Sequence, residues 1–135
     1  MPATSSYDYA IIRIVPWVER GECINAGVIL FCRTRRFLGA RTYLDQQRLA
    51  AFAPQLDFPA LQQQLEHLVQ ICYGKSESGP IGQLSQSERF HWLVSPRSTI
   101  IQISPVHSGL CTDPQAVLDH LFKTMVLPLP YTTDL

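Results

Sequence analysis

Tyr7-Asp-Tyr-Ala-Ile-Ile-Arg-Ile-Val-Pro-Trp-Val18 alternates with a period of two. Tyr7, Tyr9, Ile11, Val15 and Trp17 fall on one side and Ala10, Ile12 and Ile14 on the other. Apolar residues on both sides describe a strand covered on both faces. Arg13 interrupts the first side. Its charge is expected to snorkel to an edge or to meet Asp8 or Glu19.

The segments that follow extend the same pattern. Glu19-Arg-Gly-Glu22 is a turn, with Gly21 able to take a positive φ. A second strand is expected from Ile24 to Arg33, with Ile24, Ala26, Val28, Leu30 and Cys32 opposed to Ile29 and Phe31. Gly27 inside it points to a bulge or a close approach. Arg33 to Arg36 is a short reversal, and Phe37 to Leu44 a third strand. Connections this short make the three strands an antiparallel meander. Arg33, Arg35, Arg36 and Arg41 then blunt one end of the sheet.

Helices are expected next. Asp45 caps Gln46 to Ala53, which Pro54 ends. Asp57 caps a longer helix whose Leu61, Leu65, Leu68 and Cys72 form one apolar stripe. Its Gln62, Gln63, Glu66, His67 and Gln70 face water, and Gly74 ends it. Lys75 to Gly82 is a loop. Ser85 and Glu88 form a capping box that starts a short helix through Val94, although Phe90 to Val94 also fits a strand. Thr99 to Ser104 is a later strand, Pro105 to Thr112 a loop, and Asp113-Pro114 the start of a final helix. Val117, Leu118, Leu121, Phe122 and Met125 are its expected buried face. The fold class is therefore α+β. A three-strand meander plus one later strand makes an antiparallel sheet, packed with two or three amphipathic helices.

At 135 residues the chain is one domain, with 1–6 and 127–135 as extended or flexible tails. The net charge is zero, which argues against a general nucleic-acid binder. No apolar run approaches the roughly 20 residues of a membrane helix. The four cysteines form no C-x-x-C pair, and the N-terminus has no apolar signal core, so a reduced, cytoplasmic setting is expected.

Most of the plausible chemistry lies between Gly79 and Pro114. The candidate ligand-binding residues are Arg89, His91, Arg97, Ser98 and His107. Arginine offers a planar fork to phosphate or carboxylate, and histidine can move a proton near neutral pH. Each also has a bland structural role: Arg89 pairing with Glu88, His91 packing between Phe90 and Trp92, His107 holding a loop. No Walker loop, G-x-G-x-x-G or H-E-x-x-H occurs. His91, His107 and Cys111 match no common zinc spacing, and no metal or cofactor is expected.

Four stretches carry a resemblance. They are Tyr9-Ala-Ile-Ile-Arg-Ile-Val-Pro16 with Glu19-Arg-Gly-Glu22, Asn25-Ala-Gly-Val28, Gly79-Pro-Ile-Gly82 with Arg89-Phe-His-Trp-Leu93, and Ser95-Pro-Arg-Ser-Thr99 with His107-Ser-Gly-Leu110. In order and spacing the chain resembles the bacterial domain-of-unknown-function family 3037. The resemblance implies no activity and supplies no functional residues. It suggests a HipA-like kinase protein as partner, because family members are often encoded beside one. A non-enzymatic interaction or accessory module is the function expected. A small phosphate- or nucleotide-binding protein or enzyme using the Arg and His residues is the alternative. The tail, with Leu127, Leu129 and Tyr131 around Pro128 and Pro130, suits docking into an apolar groove or exchange into a homodimer.

Overall fold

The computed structural model describes residues 3–96 and 99–128. Five strands form one antiparallel sheet: β1 (Ser5–Ile14), β2 (Ile24–Cys32), β3 (Phe37–Thr42), β4 (Ile101–Ile103) and β5 (His107–Cys111). The order is β3-β2-β1-β4, and β5 also pairs with β1. Four helices accompany it: α1 (Gln46–Phe52), α2 (Phe58–Cys72), α3 (Gln86–Leu93) and α4 (Pro114–Met125). The expected α+β class and meander are present. β1 begins inside the stretch read as an N-terminal tail. Leu129 to Leu135, most of the other tail, lie outside the described residues.

β1 is central because it is apolar on both faces. Ile12 and Ile14 join Ile29, Phe31, Leu65, Ile71, Phe90 and Leu93 in a core shared with α2 and α3. Ile11 joins Val28, Leu30, Leu118 and Phe122 in a second core under α4. The β2 pattern needs a correction. Ile12 pairs with Gly27 and Arg13 with Asn25, so Ala26 is an extra residue. This bulge reverses the face of what precedes it. Ile24 and Ala26 therefore enter the first core while Val28 and Leu30 enter the second. A Cβ on Gly27 would lie 2.9 Å from the Arg41 carbonyl oxygen, so the bulge needs glycine.

Arg13, opposite Gln102 on one side and Asn25 on the other, forms no ion pair with Asp8 or Glu19. Its Nε is buried without a hydrogen-bond partner, and Asp8 accepts instead from Ser108 Oγ at 2.6 Å.

The caps occur where the sequence places them. Asp45 accepts from the Arg48 N–H, Asp57 from Ala60, and Asp113 from Gln115 and Ala116. Ser85 and Glu88 close a capping box, so Phe90 to Leu93 are helical. Such caps contribute about 1 kcal/mol each. In α4, Leu118 and Phe122 are buried but Met125 is exposed. The stretch Pro105 to Thr112 is not only a loop, since His107 to Cys111 pair with Ser5 to Tyr9 as β5.

Candidate functional site

Along α2, Ala60, Gln63, Gln64, His67 and Leu68 recur at helical spacing and form one stripe. It runs beside the buried stripe of Leu61, Leu65 and Cys72. Trp92 from α3 stands opposite, with Thr99 and Ile101 along the floor. These residues line an open groove of about 490 Å³. Its described lining is Leu68, Ile101, Ala60 and the Trp92 ring, with two neutral amides, the Thr99 hydroxyl and one imidazole. Such a lining suits an apolar side chain oriented by a few hydrogen bonds. α3 is held in place by Phe90, whose ring lies 5.2 Å from that of Phe31.

The described candidate residues, Arg89, His91 and His107, fall in separate places. Arg89 donates from Nη1 to the Leu84 carbonyl at 2.5 Å and from Nη2 to the Cys72 carbonyl at 3.4 Å. It ties the end of α2 and the loop after it to α3. Hydrogen bonds from a charged donor of this kind contribute about 1.5–3 kcal/mol. Glu88, its expected partner, is engaged in the capping box. His91 is exposed and donates from Nδ1 to the Ser87 carbonyl at 3.0 Å. His107 pairs with Tyr9 across β1 and β5, and the two rings lie 5.4 Å apart. Tyr9 packs on the core under α4, so His107 lies on the sheet face opposite α3. Arg97 and Ser98 lie outside the described residues.

A family model described as a protein of unknown function, DUF3037, matches residues 9–126. The chain belongs to the DUF3037 family. No curated protein and no solved structure matches it. The DUF3037 match spans the whole groove and every helix.

No group of three or more His, Cys, Asp or Glu able to hold a metal ion occurs among the described residues of this DUF3037 chain. The four thiols are free. Burial pushes the Cys72 thiol up to about 12, against the opposing pull of Arg89. Burial and the neighbouring Cys32 also raise the Cys111 thiol. A nucleophilic cysteine needs the reverse shift. No described helix is long and apolar enough to cross a membrane.

Gln63 and His67 are exposed, as the sequence implies, while Ala60 and Gln64 had no role assigned from sequence. The helical spacing was visible. What turns that stripe into a wall is the position of Trp92 and β4, which no local pattern encodes.

Proposed function

We propose that this DUF3037 chain is a non-enzymatic accessory module that works in the cytoplasm by contact with another protein. The family resemblance supports a HipA-like kinase as that partner. The observation that carries the reading is the groove between α2, α3 and β4, where Leu68, Trp92 and Ile101 lie together with the Gln63 and Gln64 amides beside them. An apolar anchor from a protein partner favours a lining such as Leu68, Trp92 and Ile101, with amides at the rim. Free thiols, three of them buried, are consistent with a reducing compartment.

The test is co-expression of the full chain with the HipA-like kinase of its gene neighbourhood. A stable complex is expected, and Gln64→Arg or Trp92→Ala should lower co-purification about tenfold with the fold intact. The alternative is a phosphate- or nucleotide-binding protein or enzyme using Arg89, His91, Arg97, Ser98 and His107. Absence of any complex, with turnover of a phosphorylated compound lost on replacing His91 or His107, would establish that alternative.

A further inference from the structure

β5 lies at the margin of the sheet. Its inner side pairs with β1, and no other described strand pairs with it. Exposed strand edges in monomers normally carry charge, a proline or a cover. Residues 99–112 contain no Asp, Glu, Lys or Arg, and Pro105 stands before β5. Two apolar side chains project there: Leu110 is 71% exposed and Val106 44%.

The outward backbone groups follow from the ladder. Val15 N–H donates to the Ile100 carbonyl and Ser104 N–H to that of Ile11, so the odd residues of β1 direct their backbone groups to this side. Tyr9 and Tyr7 therefore bond His107 and Gly109. Ser108 and Leu110, next in alternation, direct N–H and C=O away from the sheet.

We propose that β5 is a dimer strand, pairing antiparallel with β5 of a second copy about a two-fold axis at Gly109. That register sets Ser108 opposite Leu110 of the second copy, with both exchanging backbone hydrogen bonds. Gly109 then faces itself in the narrow pair, where Cα atoms approach to about 4.5 Å. A second copy is the occupant because the strand is complementary to itself in this register and a chain of zero net charge does not repel its like. The opposite margin excludes head-to-tail addition. The Tyr73 hydroxyl accepts from the Ala40 N–H at 3.3 Å and donates to the Ala40 carbonyl at 3.2 Å, occupying the outer backbone groups at the middle of β3. Two-fold pairing therefore closes and forms no fibre.

The experiment is sedimentation of the full chain from about 1 to 100 μM, with circular dichroism as the fold control. A species of twice 15.3 kDa is expected. Leu110→Lys should weaken it at least about tenfold. Leu110→Pro, which removes the outward N–H and leaves the N–H groups that face β1 in place, should do the same. A monomer throughout, or a dimer that both folded variants leave intact, overturns the proposal. So does a monomer that loses a protein partner on Leu110→Lys, since the occupant is then a foreign strand.

Discussion

The two margins of the sheet are finished differently. At β3, Tyr73 from the end of α2 satisfies both outer backbone groups of Ala40. Arg41 lies over the Phe122 ring at 4.3 Å and pairs with Asp119 at 3.2 Å. Arg33 and Arg36 lie in the adjoining reversal, while Arg35 reaches across to Ser5 Oγ and the Ala3 carbonyl at the start of β1. At β5 the residues are small, neutral or apolar, and Leu110 is the most exposed large hydrophobic side chain among the described residues. An edge that is both covered and charged resists strand addition, whereas a bare, neutral one invites it. The difference teaches why the proposed pairing is expected at β5 and not at β3.

The largest effect is expected where β5 meets β1. A Cβ on Gly109 would lie 2.5 Å from Tyr7 Oη and 2.6 Å from its Cζ. Gly109→Val should cost about 2 kcal/mol by overpacking. Chemical denaturation measures this, and Tyr7→Ala in the same chain should recover part of it. Equal loss in both backgrounds would show that β5 is not seated under Tyr7.

A smaller effect tests the closed margin. Tyr73→Phe leaves Ala40 without its outer partner and should cost about 1 kcal/mol. It should also admit species larger than a dimer, because β3 can then accept β5 of another copy. Light scattering at rising concentration checks this. The smallest effect belongs to Arg41→Ala. The pair with Asp119 is exposed, so its loss together with the ring contact should cost about 0.5–1 kcal/mol. Thermal melts at low and high salt would separate the two parts, since the ion pair is screened.

What the sequence made legible is local. The two-sided apolar strands, the glycine at the bulge and the caps at Asp45, Asp57, Ser85 and Asp113 each depend on neighbours within a few residues. β5 was not legible because His-Ser-Gly-Leu-Cys has little intrinsic strand preference, and its state comes from pairing with residues about a hundred positions earlier. The face of Ile24 and Ala26 was misassigned because the bulge at Gly27 was foreseen without its reversal of parity. Arg89 was given Glu88 as partner for the same reason of range. Its actual acceptors, at Leu84 and Cys72, are brought to it by the turn after α2. The groove is the clearest case. Its α2 stripe is periodic in sequence, yet Trp92 and Ile101 reach it only through tertiary packing.

The most direct test of the contrast between margins is amide hydrogen exchange, followed residue by residue over a dilution series. The account predicts that Ala40 stays protected at every concentration, through the Tyr73 hydroxyl. Ser108 and Leu110 should be protected when the protein is concentrated and lose that protection together as it is diluted. Protection at Ser108 and Leu110 that does not change with concentration would contradict it.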